Sequence, residues 1–126
     1  RDNQLVFPVA AKEKLVKKAD GWALDIYVFS PRPLDDLLIE PNMPKLTLVV
    51  KAKECQLAIN DKAYVAASQN RHEATYKELP LLQGWNKVSI KIGERDKNEF
   101  SGNFRCDNRN EFLSSLKVMF VNPEVK

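Results

Sequence analysis

The stretch "GWNKVSIKI", residues 84–92, constrains the fold more than any other segment. Val88, Ile90 and Ile92 alternate with Lys87, Ser89 and Lys91. A period of two gives an extended chain one apolar face and one wet face. The same alternation runs through "WALDIYVFS": Trp22, Leu24, Ile26 and Val28 share one face, and Asp25, Tyr27 and Phe29 share the other. By parity Trp85 falls on the wet face. It is either a binding platform or a corner where the chain enters the strand.

The rest of the chain is read as further strands cut by turns. Residues 4–9 form a possible first strand, confined by Pro8 to an edge or an end. Residues 13–18 are extended, and Asp20-Gly21 marks a hairpin turn through its tolerance of positive φ. Residues 34–40 read as a helical turn or an irregular strand. Leu46, Leu48 and Val50 alternate with Thr47, Val49 and Lys51, apolar on both sides at the centre, which places this strand inside a sheet. Asn60-Asp61 is expected as a two-residue hairpin turn between Leu57 and Ile59 on one arm and Tyr64 and Val65 on the other. A polar loop over 68–73, a short strand over 74–79, a charged turn over 93–98, a strand over 100–106, a turn over 107–110 and a last strand over 112–121 complete the reading. That makes about nine or ten strands, with turn signals every 8–12 residues or so, as in antiparallel sandwiches and barrels. A single sheet would leave one apolar face of residues 46–50 in water. Two packed sheets cover both, so the expectation is an all-β, antiparallel β-sandwich. No repeat or linker divides the 126 residues, and residues 1–126 are read as one module of a larger protein.

Charge excludes some functions. Twenty basic residues against 17 acidic ones leave a net charge of +3, too small and too scattered for a nucleic-acid partner. The densest basic run surrounds Lys12, Lys14, Lys17 and Lys18 and reads as the guarded edge of a sheet. No apolar run approaches the ~20 residues of a membrane span. The chain begins at Arg1 and shows no signal peptide, as expected of a processed chain or a module of a longer one. Cys55 and Cys106 have no CxxC spacing and no nearby histidine, which argues against zinc. Cys55 shares parity with Leu57 and Ile59, and Cys106 with Phe100 and Phe104, so both should point inward. Two free buried thiols are preferred over one disulfide between strands.

The groups an enzyme needs are missing as a set. The only histidine, His72, lies in the polar loop with Glu73 beside it, and adjacent residues of an extended segment point opposite ways. Asp35-Asp36 is the one adjacent carboxylate pair. It lacks EF-hand spacing and reads as a turn or helix start. The four glycines stand apart and form no phosphate loop. The expectation is a non-catalytic protein without a cofactor. Binding is what remains. Aromatic candidates for a sugar platform are Trp22, Tyr27, Tyr64, Tyr76 and Trp85. Gln69, Asn70, Arg71 and His72 are candidates for a hydrogen-bonding rim.

The segment "LTLVVKAKECQLAINDKAYVAA", with "LPLLQGWNKVSIKI" after it, resembles the jelly-roll, galactose-binding-like accessory modules of bacterial secreted glycoside hydrolases. Asn60-Asp61-Lys62 stands where those modules carry an Asn-Gly-Lys turn, and Leu82-Gln83-Gly84-Trp85-Asn86 matches their corner into a strand. The end, "FLSSLKVMFVNP", also fits. The resemblance covers about half the chain. It implies a jelly-roll sandwich that binds a polysaccharide or glycan beside a catalytic domain, in a secreted, periplasmic or cell-surface protein. It implies fold-determining roles for Trp85 and Asn86. Some such modules hold a structural Ca²⁺, which no motif here supports, and others only pack beside their neighbours. The expected ligand-binding residues are Tyr27, Asn70, Arg71, His72, Tyr76 and Trp85.

Overall fold

The alternating segments build two facing antiparallel sheets. A computed structural model describes residues 4–31, 45–106 and 110–123. Its strands are β1 (Gln4–Val6), β2 (Val16–Lys18), β3 (Gly21–Ser30), β4 (Leu46–Lys51), β5 (Cys55–Ile59), β6 (Lys62–Tyr64), β7 (Ser68–Gln69), β8 (Ala74–Leu79), β9 (Gly84–Gly93), β10 (Ser101–Cys106) and β11 (Lys117–Met119). One sheet runs β1-β10-β4-β8-β7. The other runs β11-β3-β9-β5-β6, with β2 also pairing β3. Consecutive strands mostly lie in opposite sheets, so the chain crosses repeatedly between the two layers of a β-sandwich.

The period-2 pattern decides which side chains fill the space between the sheets. Leu24, Ile26 and Val28 from β3, Val88, Ile90 and Ile92 from β9, and Leu57 and Ile59 from β5 point inward. They meet Leu46, Leu48 and Val50 of β4, Ala74 and Tyr76 of β8, and Phe104 and Cys106 of β10. β3 and β9 pair along their whole length, from Gly21↔Gly93 to Ser30↔Gly84. β4 is interior, flanked by β10 and β8. At one edge the Phe7 ring packs at tilted angles against Phe100 and Phe104 and in a T-shape against Phe120, with centroids 5.7–6.2 Å apart. Both cysteines are free thiols; Cys106 is buried and Cys55 partly so.

The Asn60-Asp61 turn forms as expected, with φ of 52° and 71° and Ile59 paired to Lys62. Elsewhere tertiary packing overrides the local signal. Residues 9–14, read as strand end and strand start, form a 3₁₀ helix, Val9–Lys14. Pro8 sets its entry and Ala11 anchors it in the core. Near the end, a short helix α1 (Asn110–Leu113) precedes β11, so the expected strand over 112–121 shrinks to Lys117–Met119. The turn before β3 holds Ala19 and Asp20, not Asp20-Gly21, because Lys18 pairs with Gly21. Gly21 is needed there for space: a Cβ would sit 2.1 Å from the Ile92 carbonyl oxygen. The loop over 68–73 is in fact β7 and a tight turn into β8. Asp35 and Asp36 lie outside the described residues.

The two ends of the sandwich are closed by buried polar side chains. At the Gly93 end, Asp96 accepts hydrogen bonds from the backbone N–H groups of Lys53 (3.0 Å), Glu54 (3.1 Å) and Gly93 (2.9 Å). At the Gly84 end, Asn86 does the equivalent work. Its Oδ1 accepts from Leu82 N (2.8 Å) and Asn60 Nδ2 (2.9 Å), and its Nδ2 faces the carbonyls of Leu82, Gly84 and Val28.

Candidate functional site

The side chains that alternate outward from β3 and β9 make the solvent face of the six-stranded sheet. Tyr27 pairs in register with Lys87, and Phe29 with Trp85. The two pairs therefore lie in adjacent rows on the outer face, at the Ser30 and Gly84 end. Trp85 is 36% exposed, and its ring meets the edge of Phe29 at 5.4 Å and 66°. Phe29 thus props the indole from one side, and about a third of the Trp85 surface stays open to water.

Beside these rings lies an open cleft of about 260 Å³, lined by Tyr27, Asn60, Trp85, Lys87, Asn122 and Pro123, with Asn86 beneath. Tyr27 and Lys87 come from paired strands. Asn60 comes from the β5–β6 turn. Asn122 and Pro123 come from the segment after β11, which Met119 pairs to Tyr27. Asn60 is fixed on both sides: its Oδ1 accepts from Lys87 N (2.9 Å) and its Nδ2 donates to Asn86. Lys87 Nζ lies 3.4 Å from Asp61 Oδ1, a pair of which the carboxylate is 84% exposed. An indole, a phenol, amides and an ammonium so converge on one shallow surface, with the Asp61 carboxylate beside the ammonium. That set can stack on an apolar ring face and exchange hydrogen bonds with hydroxyls.

Of the six expected ligand residues, the structure brings only Tyr27 and Trp85 together. Tyr76 is corrected to a core residue. It is 1% exposed and its hydroxyl donates to the Cys55 carbonyl at 3.3 Å. Asn70, Arg71 and His72 sit at the opposite end of the sandwich. There Gln69 Nε2 reaches the Ala52 and Lys53 carbonyls (3.4 and 3.3 Å), beside the Gly93 end of the other sheet. Asn70 is engaged by its own turn, its Oδ1 accepting from His72 N (2.7 Å) and Glu73 N (2.9 Å). Trp22 is half-buried at that same end. Its Nε1 donates to Glu94 O at 3.1 Å, and Lys97 Nζ lies 4.2 Å from its ring centroid.

Asn60, Lys87, Asn122 and Pro123 are the lining residues that sequence reasoning missed. Lys87 carried a signal, since it is the outward residue adjoining Trp85. Asn60 was legible as a turn residue, and nothing local marked Asn122. Among the described residues no three His, Cys, Asp or Glu side chains are grouped to hold a metal. Comparison with protein-family models, curated proteins and solved structures finds no match to this chain.

Proposed function

We propose that the protein is a non-catalytic glycan-binding module. The observation that carries this reading is the convergence of Tyr27 and Trp85 with Asn60, Lys87 and Asn122 on one open cleft. Aromatic rings offer large contact at low entropic cost, and flanking amides fix a hydroxylated ligand's orientation. A site this shallow binds weakly. Its use would be to hold a polysaccharide near an attached or partner enzyme outside the cytoplasm and to raise the effective concentration there.

Affinity electrophoresis of the folded chain through gels carrying different polysaccharides tests this. At least one glycan should retard it. Trp85→Ala and Tyr27→Ala should each lose about tenfold or more in affinity, a loss on the order of 1.4 kcal/mol, while circular dichroism stays unchanged. Arg71→Ala and His72→Ala, at the other end, should bind as the parent does. No retardation on any glycan by a folded sample would reject the reading.

One further observation favours a second reading, a packing module without a glycan site. Between the edge strands β1 and β11 the sandwich opens into an apolar groove of about 330 Å³ lined by Val6, Phe7, Phe104, Leu116, Val118 and Phe120. Val6 is 62% exposed and the nearby Val9 88%. Exposed edges carrying apolar residues are ordinarily covered. If every glycan fails, this groove is the surface on which to introduce a charge, for example Val6→Lys, and follow association with a neighbouring domain.

A further inference from the structure

The charges around the cleft say which sugars it can take. Among the described residues, the Lys87 ammonium is the cation that lines the cleft, and Asp61 already stands 3.4 Å from it. The next cation along β9 on the same face, Lys91, is paired to Asp20 at 2.9 Å. Asp25 lies exposed on the same face of β3, two residues from Tyr27. Lys117, opposite Phe29 in register, stands on β11, across β3 and β9 from Asp61. Among the described residues that line the cleft, the one cation is thus already matched by a carboxylate, which leaves it poorly placed to neutralise a ligand's carboxylate or sulfate. A uronate or sulfated ring near Lys87 would also meet the Asp61 carboxylate, and like charges at such range are penalised.

An uncharged ring meets no such obstacle. The pair presents both kinds of hydrogen-bonding group side by side: an ammonium with three donors and a carboxylate with acceptor oxygens only. Neighbouring hydroxyls of a sugar can accept from the first and donate to the second, while the ring's apolar face lies on Trp85. Size narrows the ligand further. At about 260 Å³ the cleft falls below the ~300 Å³ at which pockets for drug-sized molecules begin, so it grips a single ring and leaves the rest of a chain in solvent. We infer that the cleft binds one uncharged sugar ring, stacked on Trp85, through neighbouring hydroxyls held by Lys87 and Asp61. This rests on the glycan-binding reading and adds its ligand class.

The test sets neutral polysaccharides (xylan, galactan, mannan, a soluble cellulose ether) against acidic ones (polygalacturonate, alginate, heparin) with the intact chain. Two variants accompany it. Asp61→Asn keeps a residue that tolerates the positive φ, and Lys87→Met keeps the backbone N–H that Asn60 holds. Retention on a neutral glycan is expected, with little change between roughly 0.05 and 0.5 M salt, where screening would erase a charge-driven contact. Each variant should weaken it about tenfold while remaining folded. Salt-sensitive retention on an acidic glycan alone, strengthened by Asp61→Asn, would overturn the inference and leave the glycan-binding reading standing. Neutral retention indifferent to both variants would also overturn it. Retention on neither class would overturn both readings.

Discussion

With only 1% of its surface exposed, Asn86 uses both ends of its amide on groups that would otherwise be stranded at the Gly84 end of the sandwich. Five hydrogen bonds tie it to Asn60, Leu82, Gly84 and Val28, so it joins the 81–84 corner, the β5–β6 turn and β3. Leaving buried donors and acceptors unpaired costs about 1–3 kcal/mol per group. Truncation strands several at once, though water reaches some of them. Asn86→Ala should therefore lose about 2–4 kcal/mol in urea unfolding. A loss under ~0.5 kcal/mol would show that the corner does not depend on this amide. In sequence, Asn86 stands on the inward parity of β9, a polar residue that has to find partners. Parity says that much and no more. The partners come from residues 26 and 58 positions earlier and from the corner beside it. Tyr76 is the converse case. Leu79 is buried, and counting back from it by twos puts Tyr76 outside. The strand breaks that count: Leu46 pairs with Leu79 but Leu48 with Tyr76, so β8 carries one extra residue. Glu78 takes a φ of 54° at this bulge, and Tyr76 turns inward.

At the scale of elements, the hairpin β5–β6 was the most legible piece because its signal is local. A two-residue turn whose strands keep a right-handed twist needs positive φ at both central positions, which Asn and Asp tolerate and β-branched residues do not. Asn60 and Asp61 meet that need at 52° and 71°. The 3₁₀ helix Val9–Lys14 was illegible for the opposite reason. Its sequence has no cap side chain, and its formation depends on Ala11 and Leu15 finding the core. The cleft was half legible on the same grounds. Trp85 and Tyr27 follow from alternation, whereas Asn122 reaches the cleft only because β11 pairs with β3. The turn also makes a graded prediction. Asp61 is exposed, and its ion pair with Lys87 is of the surface kind worth ~0–1 kcal/mol, so backbone strain decides the outcome. Stability should run Gly at least equal to Asp, and Asp above Val. Asp61→Val should lie about 1–2 kcal/mol below the parent in thermal or urea melts. A Val variant as stable as the parent would mean that the turn relaxes to another type.

For the molecule as a whole, the contact between the sheets ties stability to high pH. Tyr76 reaches from β8 of one sheet to the Cys55 carbonyl on β5 of the other. Burial raises the pKa of the Tyr76 hydroxyl far above its ordinary 10.0, and burial likewise raises that of the Cys55 thiol above 9.0. Both groups are thus kept protonated by the fold. Above their ordinary values the unfolded chain releases protons that the folded chain retains, so the unfolded state binds fewer and stability falls as pH rises. The contribution is complete below pH 9.0, begins to decline as unfolded Cys55 ionises, and declines further above 10.0 as unfolded Tyr76 does. Urea midpoints measured across this range should fall with pH in the parent. Tyr76→Phe keeps the ring and removes the proton, so its midpoint should be lower near neutrality for want of the cross-sheet bond but flatter above pH 10.0. Cys55→Ser should flatten the lower part of the fall. All other groups are common to the parent and Tyr76→Phe, which makes the difference between their curves, and not either curve alone, the quantity that reports Tyr76. Parallel parent and Tyr76→Phe curves would mean that the hydroxyl ionises as readily in the folded protein as in the unfolded one, and that the two sheets are not joined through it.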